Sequence, residues 1–353
     1  MSKESQLQLE VSRQFNYVPF YRPLDNSGIE HNNILPVIQE RRETMKKIGL
    51  VILVASVFVS FLSPKPEALA GPKVKIGTVP MAYTLHFDFL TAFGKEEGIE
   101  VEVIDFKSSS DENQAIAAGS LDGGNVGALG TNVLFTKGVA VAIVSGTVRG
   151  GSDFVVGKQI NSVQELQGKK IGATKGSTSE ILAKYQLKKA GISSIWINLP
   201  HAQLAVALIR KEVDAIAAGE PWAGLVVSKE IGKRLPGFNV YDSPAGEVSG
   251  AFVISQKLIK ENPETVQKLI NAFVKAIHFS NAKREDYIKH AVGKLKISEE
   301  DVRIALKNAE ITYKLFPQEW PALANMAKDL GYIQDVADYS KAFNLMFLEK
   351  AVK

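Results

Sequence analysis

Lys175-Gly-Ser-Thr-Ser179 places hydroxyl groups and an unhindered backbone between a short apolar stretch, Ile171-Gly-Ala173, and a helical period carried by Ile181, Leu182, Tyr185 and Leu187. A strand that runs through small residues into a helix offers free backbone N–H groups and the positive end of the helix dipole to an anion. Gly176 lets the backbone come close. Ser177 and Thr178 supply hydroxyls and amides to the oxygens of a sulfonate, carboxylate or nitrate. A capping box, with Ser177 bonded to the N–H of Glu180, explains the same Ser and Glu without a ligand but leaves the run of Ser and Thr unexplained.

Other segments carry similar groups. Gly219-Glu220-Pro221-Trp222 ends one apolar stretch and opens a helix with Pro at its first position. Glu220 in a cleft would face an amine, hydroxyl or N–H of a ligand, with Trp222 as a wall. An acid at a helix N-terminus is also favourable by itself, by about 0.3–1 kcal/mol. A cleft-facing Glu220 would repel a bare anion and so call for a zwitterion or a ligand with N–H donors. Tyr83 and His86 follow the first predicted strand and are candidate ligand contacts, although His86 also suits a core position. Thr131 and Asn132, after Gly130, open another helix and offer donors and acceptors, with an N-cap as the simpler role. Gly250 enters a later strand, where it would allow close backbone approach or serve a hinge.

The elements that must position these groups alternate. Strands are predicted at 74–79, 101–106, 124–128 and 139–145, with helices at 84–97, 111–119 and 131–137 between them. The pattern restarts with strands at 171–173, 196–199, 214–218 and 238–241 and helices at 177–190, 203–211 and 221–230. Strands at this spacing, separated by helices, make βαβ units and a largely parallel sheet. After a strand at 251–254 come long helices at 263–282, 286–295 and 298–311, and a last one from Trp320 onward. Two α/β lobes and a helical tail result, with ligands expected outside the carboxyl ends of the strands, between the lobes.

Composition narrows the class. Of 353 residues, 42 are Lys or Arg and 38 are Asp or Glu, a net charge of +4, without a nucleic-acid signature. The chain has no cysteine, which removes disulfides, thiolate metal sites, a cysteine nucleophile and a lipid-modified cysteine anchor. His278 and His290 lack a second ligand at metal spacing, so no metal or cofactor is expected. No Ser/His/Asp arrangement stands at a spacing that supports catalysis, so a binding protein is favoured over an enzyme. Met45-Lys-Lys47, the uncharged run Ile48–Leu62 and Ala68-Leu-Ala70 make the three regions of a secretory signal peptide, cleaved after Ala70. Residues 1–44 are read as an extension, with Met45 as the true start; Arg41-Arg42 is a partial twin-arginine pattern. An uncleaved anchor on a sensory domain is the alternative for the apolar run.

Five segments together resemble the substrate-binding proteins of ABC transporters for nitrate, sulfonate, taurine and related molecules. They are Lys75-Ile-Gly-Thr-Val-Pro80, Ala128-Leu-Gly-Thr-Asn132, Leu166 to Ser179, Val213 to Trp222 and Gly250-Ala-Phe-Val-Ile254. The resemblance covers residues 73–353 in order. It implies the two-lobed type II periplasmic binding protein fold with a hinged interlobe cleft, the first lobe from 73–152 and 247–353 and the second from 153–246. It implies a periplasmic monomer that captures a small polar ligand by hinge closure and docks on the transmembrane subunits of an ABC permease. Relatives that bind thiamine-precursor pyrimidines or flavins make a nitrogen heterocycle the alternative ligand. The enzymatic branch of the family relies on a cysteine-rich motif that is missing here.

Overall fold

The computed structural model describes residues 71–353; residues 1–44, read from the sequence as an extension, and 45–70, read as a signal peptide, lie outside the described residues. β1 (Lys73–Thr78) alternates exposed Lys73 and Lys75 with buried Val74 and Ile76, the period of a strand with one face on a core. It pairs in parallel with β2 (Glu100–Asp105) and β3 (Gly123–Gly127). The connections are a 3₁₀ turn at Leu85–Phe89 leading into α1 (Leu90–Glu96), and α2 (Ser109–Ala117). α3 (Ala128–Thr136) leads to β4 (Val141–Gly150). β10 (Gly250–Ser255) lies antiparallel between β3 and β4, and β11 (Ala309–Ile311) covers the far edge of β4. The six-stranded order is β11-β4-β10-β3-β1-β2.

A second sheet has the order β7-β6-β8-β5-β9. β5 (Ser152–Gly157) follows the first crossing; β6 (Lys170–Ala173), β7 (Ile195–Asn198) and β8 (Ala215–Gly219) are mutually parallel. α4 (Thr178–Lys189), α5 (His201–Ile209) and α6 (Trp222–Ser228) connect them. The closing strand β9 is Gly232–Arg234, earlier in the chain than the predicted 238–241. That later stretch is a turn: Phe238 packs its ring 4.7 Å from Phe154, and Tyr241 bonds to backbone. Side chains needed for local packing and clamping thus mimic a strand pattern.

The tail contains α7 (Gln256–Glu261), α8 (Pro263–Ala282), α9 (Arg284–Leu295), α10 (Glu299–Asn308), α11 (Glu319–Asp329) and α12 (Met346–Ala351). α8 carries Val266, Leu269, Ile270, Phe273, Val274 and Ile277 on one stripe, all buried. Its Phe273 joins Phe87 and Phe252 with ring centroids 4.8–5.3 Å apart. A helix predicted to run to Ile311 stops at Asn308, because Ala309–Ile311 pairs with Val148–Gly150. α11 packs on both α3 and α4, and a single apolar core runs from Val126 and Leu134 through Trp320 and Leu323 to Ile171 and Ile181.

The crossing at Gly150-Gly151 has φ of +75° and +78°. A Cβ on Gly150 would lie 2.7 Å from the Asn308 carbonyl oxygen, so both space and conformation require glycine there. The Gly151 N–H donates to Asn308 O (2.8 Å), and the Glu220 N–H donates to Gly151 O (2.8 Å). Tyr241 Oη accepts from Ser152 N–H (2.6 Å) and donates to Ser152 O (2.7 Å).

Candidate functional site

The two sheets turn the ends of their parallel strands toward each other. A Cβ on Gly176, in the loop after β6, would lie 3.7 Å from Leu129 Cδ2 in the first turn of α3. The Gly219 position at the end of β8 lies within 3.4 Å of Tyr83 Oη and 3.9 Å of Met81 Cε, both from the segment after β1. Groups from both lobes therefore meet where the sequence pattern places a ligand.

Around Gly176 the local chemistry divides in two. Gly176 has φ +77°, and its N–H donates to Glu180 Oε2 at 2.7 Å. Ser177 Oγ accepts from the Glu180 N–H at 3.2 Å. The capping box thus occupies Ser177 and the Gly176 amide, with Glu180 reaching one residue further back than the usual partner. The N–H groups of Thr178 and Ser179, and the half-buried Thr178 hydroxyl, take no hydrogen-bond partner among the described residues. They are the first two amides of a twelve-residue helix, where the dipole is positive. Leu129, in the first turn of α3, lies in van der Waals reach of the Gly176 position.

Tyr83 lies across the crossing, its Cε1 within 3.1 Å of a Cβ placed on Gly151. Its hydroxyl takes no partner among the described residues, and burial together with the Glu220 carboxyl pushes its pKa up, so the phenol stays neutral.

Five sequence candidates have other roles. His86 is fully buried between the rings of Phe87 (4.8 Å) and Phe273 (5.6 Å), and burial pulls its pKa down to about 3; it belongs to the core. Thr131 is fully buried, and its hydroxyl donates to Ala128 O at 2.7 Å, closing the first turn of its own helix. Asn132 donates to Asp335 O (3.0 Å) and accepts from the Ala337 N–H (2.9 Å), which pins a tail loop and consumes the amide. Gly250 makes its close approach inside the sheet, since a Cβ there would lie 2.5 Å from Thr147 Oγ1. Trp222 is half-buried against the apolar cluster of Val155, Leu204 and Ala223.

Glu220 is held by the protein's own groups. It is fully buried, with Oε2 accepting from the Gly224 N–H at 2.8 Å and Oε1 accepting from Asn308 Nδ2. Arg234 Nη2 stands 3.6 Å from Oε1. The carboxyl caps α6 and ties it to α10, so its oxygens are engaged without a ligand. Burial pushes its pKa up to about 7. The native fold therefore binds this proton more tightly than the unfolded chain. The stability it brings is complete below about pH 4.5 and is lost as pH rises to about 7. Glu220→Gln is expected to remove that loss, on the order of 2 kcal/mol. Urea unfolding of both chains at pH 5 and pH 8 checks it; an unchanged pH slope would refute the assignment.

Sequence reasoning overlooked Glu112, Tyr241, Asn308 and Lys184. Only Glu112 had a signal: it lies four positions before Ile116, on the inward face of α2.

A fold of two such sheets with a tail across them is that of the periplasmic binding proteins. The sulfonate-binding protein SsuA of Methylobacillus flagellatus KT superposes with a TM-score of 0.67 at 20% identity, over 80% of this chain and 94% of that one. The nitrate-binding protein NrtA of Synechocystis PCC 6803 does so at 0.65 and 16%, over 80% and 88%. The desulfurization enzyme DSZB shares the fold at 0.57 and 13%, over 80% and 99%. A protein of Brucella abortus (strain 2308), given only the general name of a binding protein, is 26% identical over 253 residues, 70% of this chain and 78% of the relative. The profile of the family described as NMT1/THI5 like matches residues 92–286, and the chain belongs to that family.

Proposed function

We propose that the protein is the periplasmic solute-binding component of an ABC importer and that its ligand carries a compact anionic head, as a sulfonate, taurine or nitrate does. The observation that carries this reading is the pair of unpartnered amides at Thr178 and Ser179, next in sequence to the Gly176 loop that meets Leu129 of the first lobe. Exposed Lys175 adds a positive charge beside them. The likeness to sulfonate- and nitrate-binding proteins supports the same class of ligand. Capture is by closure of the lobes about Gly150-Gly151, and delivery is to the permease's transmembrane subunits. The exported protein begins after Ala70, acts as a monomer and performs no turnover.

The test is titration calorimetry of the purified protein with nitrate, taurine, ethanesulfonate and a thiamine-precursor pyrimidine, with product analysis of each mixture. One of the anions is expected to bind near micromolar, about −8 kcal/mol, and to be recovered unchanged. Leu129→Trp places a bulkier side chain against the Gly176 loop and is expected to weaken that binding by more than about tenfold, or 1.4 kcal/mol, with the circular dichroism spectrum preserved. Undiminished binding would move the site away from Gly176. Binding of the pyrimidine alone would replace the anion reading, with Tyr83 as the ring-facing group.

A further inference from the structure

Lys184, on the second turn of α4, is enclosed by groups distant in sequence. Its Nζ is 2.8 Å from Glu180 Oε1 and donates to the hydroxyl of Tyr332, 148 positions away. The same ammonium stands 4.7 Å from the centroid of the Trp196 ring and 4.9 Å from that of Tyr332. Glu180 is almost fully buried, and its other oxygen holds the Gly176 N–H at 2.7 Å. Tyr332 lies three residues beyond the end of α11, and Asp335 and Ala337, a few residues further on, are bonded to Asn132 on α3. An unbroken series of contacts thus runs from the Gly176 loop of the second lobe, through Glu180, Lys184 and Tyr332, to α3 of the first lobe. It does not pass through the hinge.

Each contact has a physical reason to depend on the next. A nearly buried carboxylate needs a partner charge. Lys184 supplies it, and its own desolvation is offset by two aromatic faces and a phenol oxygen. Without Tyr332 the ammonium keeps one ring and gains water. Without the ammonium, Glu180 gains from turning out to solvent and releasing the Gly176 amide.

We propose that Lys184 is a positioning residue for the Gly176–Thr178 binding loop and that Tyr332 sets it, so that docking of the C-terminal segment between the lobes fixes the shape of the ligand site. The inference rests on the reading of that loop as a ligand site, but its structural part is tested without ligand. Amide hydrogen exchange at Gly176 is measured in the ligand-free full chain. Lys184→Met, which keeps the stem and removes the charge, and Tyr332→Ala are each expected to speed that exchange by about tenfold or more, while amides of β6 keep their rates. Lys184→Arg, which retains charge and aromatic stacking, is expected to stay within about threefold of the native rate. In a Trp222→Phe, Trp320→Phe background, where Trp196 is the one tryptophan left, the emission should shift in Lys184→Met and not in Lys184→Arg. Ethanesulfonate affinity should then fall about tenfold in Lys184→Met and Tyr332→Ala. If Tyr332→Ala leaves Gly176 exchange unchanged, or if Lys184→Met and Lys184→Arg behave alike, the proposal is overturned. If exchange responds as expected while no anion binds the native chain, the coupling stands and the anion reading fails.

Discussion

Between pH 4.5 and pH 8 the native chain is expected to lose on the order of 3 kcal/mol of stability relative to Glu112→Gln. Glu112 is fully buried under α2, against paired Gly77 and Gly124 of β1 and β3. A Cβ on Gly124 would lie 2.5 Å from its Oε1, so the carboxyl occupies the space that these glycines leave. Burial pushes its pKa up to about 8; the Asn125 backbone amide pulls the other way, less strongly. A raised pKa in the fold means more bound protons in the native state. The stability is therefore whole below about pH 4.5 and drains away as pH climbs to about 8. Gln has no such titration, so the difference between the two chains must change with pH whatever the fixed cost of the amide. Denaturant unfolding at half-unit steps measures it, and parallel curves would show that the carboxyl reaches water.

Trp320→Ala is expected to cost about 3–5 kcal/mol, the range for emptying a buried aromatic site. The indole is 2% exposed and sits where α11 joins the core that runs through both lobes. Loss of that side chain leaves a cavity beside Leu323 and Ala324 and loosens a helix that packs on both α3 and α4. At about 2–4 °C per kcal/mol for a chain of this size, the calorimetric midpoint should fall by roughly 10 °C. The second lobe's sheet should then melt separately from the first. A loss below about 1 kcal/mol in a single sharp transition would make the tail peripheral to the fold.

The βα alternation, the apolar stripe of α8 and the small-residue loop before α4 are legible because each is a short-range pattern of period 2 or 3.6, or a cap. The capping of Glu180 by Ser177 follows from a spacing of three. The strand at 309–311 is not legible, since its pairing partner lies in β4 and its own residues continue the preceding helical period. Nor is the turn at 238–241, where Tyr241 was drawn into backbone contact with Ser152 from 89 positions away.

The amino-acid order did not give the strands at Ser152–Gly157, Gly232–Arg234 and Ala309–Ile311. What it determined alone was the βα alternation, most of the helices and the presence of polar groups at their starts. Local backbone preference and hydrophobic period suffice for that. The tertiary structure decided which polar groups were consumed. Asn132 meets a loop 203 positions away, Glu220 meets an amide 88 positions away, and Thr178 meets nothing among the described residues. A side chain at a helix start has the same local energy whether its partner is a ligand or a distant loop. Only the packing of the second lobe and the tail chooses between them.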